Sequence, residues 1–265
     1  MVNIDINVSV LLKEYAFLER FDQAKRLGFE AVEFYWNRDE NPKEVGNRVQ
    51  DAGLQVAAFN FDAGDMGAGD RGLLSDPDRE KEIRENVPIA LELAHRVGCK
   101  KLTALAGNLK PEINREQQLD IIRENLRWVC DQATQANVTV LVEAINGWDN
   151  RLYPFTNTRD TLKFLDSVGA SNLKYLYDMY HMQRMEGNLA ETLVKNTDRI
   201  GHIQIADSPN RHEPGTGEIN YQFIFEIIDR SGYDGYVGLE YNPAGSTEES
   251  LAWLPEGVRT LLDPD

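Results

Sequence analysis

Eight times along this chain a short apolar or β-branched run gives way to a longer amphipathic stretch, and few folds accommodate that rhythm. The strand-like runs span residues 6–10, 31–35, 55–59, 101–105, 139–142, 173–177, 201–205 and 236–239. The helix-like stretches span 15–27, 42–52, 78–97, 116–136, 158–168, 189–196, 221–231 and 247–254. Within them Ile83, Val87, Leu91 and Ala94 share one helical face, as do Leu119, Ile122, Leu126 and Val129, which is the spacing of an amphipathic helix. Gly28, Gly53, Gly98 and Gly169 each close a helix-like stretch just before a strand, where a left-handed C-cap favours glycine. Eight strand–helix units predict an α/β protein built as a closed (β/α)8 barrel. A doubly wound open sheet would bring a glycine-rich phosphate turn near the first strand, and none is present. The 265 residues match the roughly 250 typical of one such barrel. No Pro/Gly/Ser-rich linker divides them, so one domain over residues 1–265 is expected.

Parallel barrels carry their chemistry at the C-terminal ends of the strands. Four polar residues fall at those ends: Glu143 after 139–142, Asp178 after 173–177, Gln204 within 201–205, and Glu240 after 236–239. An acidic residue ending an apolar strand is poorly placed for a core. Three carboxylates and an amide oxygen converging at a barrel mouth would repel unless a hard cation lay among them. Such an all-oxygen set favours one divalent ion, Mg²⁺ or Mn²⁺, over Zn²⁺. Glu143 and Glu240 on different sides of the mouth suit a proton shuttle between adjacent carbons. The plainer alternative is that each caps a helix or pairs with an arginine. His181 could donate to a substrate oxygen, serve as a further ligand, or pack as a core histidine. Arg71 and Arg211 lie in loops and are candidate clamps for a substrate carboxylate; surface arginine is the competing reading.

Other segments are less specific. The loop 61–76 holds four glycines and reads as a lid, a binding loop, or a loose surface loop. Trp36 and Trp148 could wall a pocket or pack at the rim. The run 214–217, Pro-Gly-Thr-Gly, is only weakly like a phosphate turn and lacks the Walker lysine. There is no Gly-x-Ser-x-Gly and no His-Glu-x-x-His, and the four histidines are few for a multi-zinc nuclease. Twenty-eight basic against 44 acidic residues give a net charge of −16, which disfavours nucleic acid and anionic membranes as partners. No apolar run reaches the roughly 18 residues that would cross a bilayer. Neither Cys99 nor Cys130 has metal-ligand spacing. Both are expected reduced and buried in a cytoplasmic chain.

The run 173–187, Leu-Lys-Tyr-Leu-Tyr-Asp-Met-Tyr-His-Met-Gln-Arg-Met-Glu-Gly, resembles the hydroxypyruvate isomerase family of xylose-isomerase-like barrels. So do 201–207 with 213–221, and Ala63-Gly-Asp with Arg71-Gly72. The resemblance implies interconversion of hydroxypyruvate and tartronate semialdehyde (2-hydroxy-3-oxopropanoate) through an enediolate. It places the two catalytic glutamates on Glu143 and Glu240, and the metal set on Glu143, Asp178, Gln204 and Glu240. His181, Arg211, Arg71 and Asn60 are then the substrate-binding candidates. Phe59 stands where the family often has a polar residue, a departure that bears on substrate identity. The alternatives are a 2-oxo-tetronate isomerase and a ketose 3-epimerase of the same superfamily. An apurinic-type nuclease or a catalytically silent sugar-acid binder would use the same barrel. A small hydroxy-oxo acid or sugar is the expected partner, and a homo-oligomer formed through helix faces is compatible with the sequence.

Overall fold

The computed structural model describes residues 2–254. Its eight parallel strands are β1 Asn3–Asn7, β2 Ala31–Phe34, β3 Gln55–Asn60, β4 Lys101–Thr103, β5 Thr139–Glu143, β6 Leu173–Asp178, β7 Ile200–Ile205 and β8 Tyr236–Leu239. They are hydrogen-bonded in chain order, and β1 closes on β8 with Asn3 opposite Tyr236 and Ile6 opposite Leu239. The fold is therefore the closed (β/α)8 barrel. The expected residues 255–265 of the domain lie outside the described residues.

The helices are α1 Glu19–Arg26, α2 Pro42–Asp51, α3 Glu80–Val97, α4 Arg115–Gln135, α5 Thr158–Val168, α6 Met179–Met185, α7 Leu189–Asn196, α8 Tyr221–Ser231 and α9 Thr247–Ser250. Their starts are chemically defined. The side chains of Asn41, Asn114, Asn157 and Asn220 each accept a hydrogen bond from a first-turn amide, satisfying a donor the helix leaves open. α3 and α5 end on Gly98 and Gly169 at φ 71° and 74°, the left-handed cap their glycines predict.

α1 starts at Glu19 instead of 15 and β4 ends at Thr103 instead of 105, and two elements differ more from the periodicity. β1 covers 3–7 instead of 6–10. The Asn7 carbonyl accepts from the amides of Val10 and Leu11, and its side-chain oxygen accepts from Ser9. That turn carries Val8 and Leu11 into the core without extending the strand. α6 was not expected at all. It starts where the Asp178 side chain accepts from the His181 amide at 3.1 Å, so a candidate site residue doubles as a helix cap.

The barrel interior is split by polarity. Ala58, Leu141 and Leu176 from β3, β5 and β6 form one apolar cluster. Across from them, Glu33 on β2 reaches His202 and Gln204 on β7. Those strands are separated by β1 and β8, so the contacts cross the lumen. Cys99 and Cys130 are free and buried, and burial pushes both thiols up to about 12. Among the described residues no helix is long and apolar enough to cross a membrane.

Candidate active site

The strand ends bring the predicted residues to one mouth. Glu143 and Asp178 are the last residues of β5 and β6, Gln204 is the last but one of β7, and Glu240 immediately follows β8. Register places Asp178 opposite Gln204. A cavity of about 130 Å³ opens above them, lined by Asn60, Arg71, Glu143, His181, Gln204, Arg211 and Glu240, with Tyr35, Asp149 and Asn150 among its other walls. Asp178 lies just behind it, with Oδ2 at 3.6 Å from His181 Nε2 and 3.7 Å from Arg211 Nη2. All eight site residues predicted from the sequence thus meet, and none is stranded elsewhere on the barrel.

Hydrogen bonding fixes the state of His181. The Asn146 side-chain oxygen accepts from the Asp149 amide at 2.9 Å, so its Nδ2 faces His181 Nδ1 at 2.7 Å. Nδ1 therefore accepts, and the ring proton is on Nε2. Burial holds the imidazole well below its ordinary pKa, and the nearby arginines add to the effect. A neutral ring with Nε2–H directed toward Glu143 and Asp178, at 3.5 and 3.6 Å, is a donor. This geometry suits the substrate-donor reading better than the ligand reading.

The carboxylates are destabilised as anions. Burial, then Glu240 and Asp178, raises Glu143 well above the carboxylate range. Burial raises Asp178 to about 6 and Glu240 to about 8, with Arg211 opposing in both. Buried like charges of this kind are held apart by protons or by a counter-cation. Two of the four predicted ligand groups also present an unsatisfied oxygen: among the described residues, Asp178 Oδ2 and Gln204 Oε1 are buried without a hydrogen-bond partner. Orphaned oxygens beside buried carboxylates are the donor set a hard divalent ion takes, so the residues present fit one. Glu143, Asp178 and His181 also bring a ligand atom each within 4.8 Å of one another.

Arg211 is aimed by its loop. Its backbone is in the left-handed region at φ 59°, pinned by its amide to the Asp207 carbonyl and by its carbonyl to the Asn242 amide. The guanidinium is hydrogen-bonded to Glu240. The same loop answers the question of the glycine-rich run 214–217. Its Gly215 and Gly217 amides donate to the Asp207 carboxylate at 2.8 and 2.9 Å, joined by those of Ser208 and Ile219. The turn's donors are thus taken by an internal anion. Four amides on one carboxyl acceptor should make Asp207→Ala destabilising by roughly 4 kcal/mol, at about 1 kcal/mol per bond. Denaturant unfolding measures this, and a loss under 1 kcal/mol contradicts it.

Arg71 is built in differently. Its Nε donates to Asn150 at 2.7 Å and its Nη1 to the carbonyls of Met66 and Asp70. The loop 61–76 is accordingly an ordered wall. Gly72 bridges to Ala106, and Phe61, Leu73 and Leu74 are buried.

Tyr35 and Asn146 escaped the sequence reading. The Tyr35 hydroxyl donates to Glu240 Oε1 at 2.5 Å. Its position one residue past β2 was the available signal, by the same rule that singled out Glu240. Neither Trp36 nor Trp148 lines the cavity, and Trp148 is 70% exposed. Phe59 stacks on Phe34 at 5.1 Å between centroids and is buried. Its departure from the expected polar residue therefore falls in the core, and Asn60 is the β3 residue at the cavity.

A family model described as a xylose isomerase-like TIM barrel matches residues 21–257. A hydroxypyruvate isomerase of Escherichia coli (strain K12) is 42% identical over 254 residues, spanning 96% of this chain and 98% of that protein. This chain belongs to the hydroxypyruvate isomerase family. Within that family and its neighbours, a 2-oxo-tetronate isomerase of Cupriavidus necator is 40% identical over 248 residues, 94% of this chain and 95% of that one. A crystal structure named as an AP endonuclease, family 2, from Brucella melitensis superposes with a TM-score of 0.91 and 36% identity, covering 96% of this chain and 98% of that one. The hydroxypyruvate isomerase family member described here is thus an enzyme of the isomerase type.

Proposed function

We propose that this enzyme interconverts hydroxypyruvate and tartronate semialdehyde by proton transfer between adjacent carbons, with one divalent cation, Mg²⁺ or Mn²⁺, held by Glu143, Asp178, Gln204 and Glu240. The observation that carries this reading is the pair of orphaned oxygens, Asp178 Oδ2 and Gln204 Oε1, beside two buried glutamates at one small cavity. When bound, the cation would polarise the substrate carbonyl and offset the negative charge that develops on its oxygen.

The chain's own groups supply the rest. Arg71 Nη2 has no protein partner among the described residues and is the donor for the substrate carboxylate. Glu240 is tied to Tyr35 and Arg211, whereas among the described residues the Glu143 carboxylate makes no hydrogen bond and lies 3.5 Å from His181 Nε2. Glu143 is therefore the freer base to take the proton from the hydroxyl-bearing carbon. His181 Nε2–H donates to the oxygen on which enediolate charge appears. The abstracted proton returns to the neighbouring carbon, and the C3 hydroxyl proton passes to the C2 oxygen, a transfer His181 Nε2 is placed to assist, so that the ketone becomes the hydroxyl and the hydroxyl the aldehyde.

The cavity is small, at about 130 Å³. That favours a three-carbon acid, with the four-carbon 2-oxo-tetronates next, over a six-carbon ketose. The relatives named for hydroxypyruvate and 2-oxo-tetronate support the same two classes. A nuclease reading, suggested by the name of the Brucella structure, has less to stand on here. One histidine lines the cavity, and the chain carries a net charge of −16.

Incubation in D₂O with Mn²⁺ tests the proposal. Deuterium should enter C3 of hydroxypyruvate, with slower or equal exchange in four-carbon 2-oxo acids and none in free ketoses. Exchange confined to ketoses would move the assignment to a 3-epimerase, and plasmid nicking with Zn²⁺ would move it to a nuclease.

A further inference from the structure

Gln204 poses a chemical problem that the rest of the site does not. A carboxylate offers oxygen whichever way it turns. A carboxamide offers oxygen from one end and two N–H donors from the other, and only the oxygen can face a cation. Something must decide which end points into the cavity.

Among the described residues, the partner of its nitrogen is Glu33. Gln204 Nε2 donates to Glu33 Oε1 at 2.9 Å. Asn7 Nδ2 donates to the same oxygen at 2.9 Å, and His202 Nε2 lies 2.6 Å from Oε2. Glu33 is 2% exposed and His202 is fully buried, so no solvent competes. Glu33 Oε1, already the acceptor for two amide donors, has no proton to offer the Gln204 amide. It therefore fixes Nε2 on its own side and leaves Gln204 Oε1, buried and unpartnered, on the cavity side. The lumen is shaped around this group. A Cβ added at Gly238 on β8 would lie 2.7 Å from both Oε1 and the carboxyl carbon of Glu33, so the glycine makes the room that the carboxylate fills.

We propose that Glu33 is a positioning residue, whose buried carboxylate sets the orientation of the Gln204 amide so that oxygen, and not NH₂, is presented to the cation. This rests on the cation-site reading above, and the experiment separates the two.

The test is a double-mutant cycle read by Mn²⁺ calorimetry on folded protein. Glu33→Met keeps an unbranched side chain of similar length and removes the acceptor. In the Gln204 background it should weaken Mn²⁺ binding by about 10- to 100-fold, the range typical of outer groups that orient metal ligands. In the Gln204→Glu background the ligand has no wrong end, and Glu33→Met should cause no loss. If Glu33 acted only through its charge or by supporting the barrel, the same substitution would weaken binding equally in both backgrounds, and the proposal would be overturned. Undiminished binding by Glu33→Met with Gln204 present also overturns it, while leaving the cation site standing. A wild-type protein that binds no Mn²⁺ removes both. Should Glu33→Met fail to fold, Gly238→Ala displaces the carboxyl group without removing it. It should weaken Mn²⁺ binding in the same range, and wild-type affinity there would count against the proposal.

Discussion

Glu143→Gln and Glu240→Gln should each lower turnover of hydroxypyruvate by about 10³-fold or more, without loosening the barrel. Each substitution removes a proton-transfer group, which alone is typically worth 10² to 10⁴ in rate. Each also removes a charged oxygen from the proposed cation set, so the two losses compound. The stability outcome separates this from a trivial folding defect. Both glutamates are disfavoured as anions by burial and by acidic neighbours, with Arg211 opposing in both. Exchanging either for a neutral isostere removes that cost, so the metal-free variants should melt no lower than the parent. Glu240→Gln has one opposing consequence, because it weakens the partner of Arg211 and Tyr35. Its gain should therefore be the smaller. Steady-state kinetics with thermal melting of both variants decides the matter. Near-normal turnover by either variant would remove that glutamate from the reaction, and turnover by both would end the proposed mechanism.

The parts of this protein that were legible in its sequence are those with a repeating physical cause. Strand and helix alternation follows from how apolar residues must be spaced to bury one face, and seven of the eight expected strands overlap their observed ranges almost completely. β1 was misplaced because Val8 and Val10 look like strand residues, whereas Asn7 captures the following amides into a turn. Helix α6 was hidden because Asp178 reads as a site residue and also acts as a cap. At the site, the strand-end rule found Glu143, Asp178, Gln204 and Glu240, since each position is set by register along its own strand. The same rule did not reach Tyr35, because a tyrosine after a strand is unremarkable until Glu240 is known to stand 2.5 Å away. Glu33 and Asn7 were invisible for a deeper reason. Their meaning lies in contacts between strands, Glu33 with Gln204 across the lumen at 171 positions apart and with Asn7 on the neighbouring strand at 26, and no periodicity encodes such pairings. Arg211 was found as a residue but not in its posture, which depends on Asp207 gathering four amides around the loop.

Mn²⁺ should raise the melting temperature more at pH 8.5 than at pH 5.5, and its binding near pH 7 should release protons. Burial raises Asp178 to about 6 and Glu240 to about 8 in the folded, metal-free chain, above the roughly 4 expected of an unfolded carboxylate. A raised folded pKa means the native state holds the proton more tightly than the unfolded state does. The stability this contributes is complete below about pH 4 and is lost as pH climbs through 6 and then 8. Metal-free protein should therefore melt progressively lower across that window. A divalent ion needs the same oxygens deprotonated, so its affinity rises as they ionise, and it supplies the positive charge that the crowded anions lack. At 100 times its Kd a ligand specific to the native state adds about 2.7 kcal/mol. For a chain of this size that corresponds to roughly 5–10 °C. The increment should shrink toward pH 5.5, where the ion must displace protons, and chelation should abolish it at every pH. Calorimetry in buffers of different ionisation enthalpy reports the released protons directly. A melting increment that is the same at both pH values, with no proton release, would mean that the ion binds away from Asp178 and Glu240.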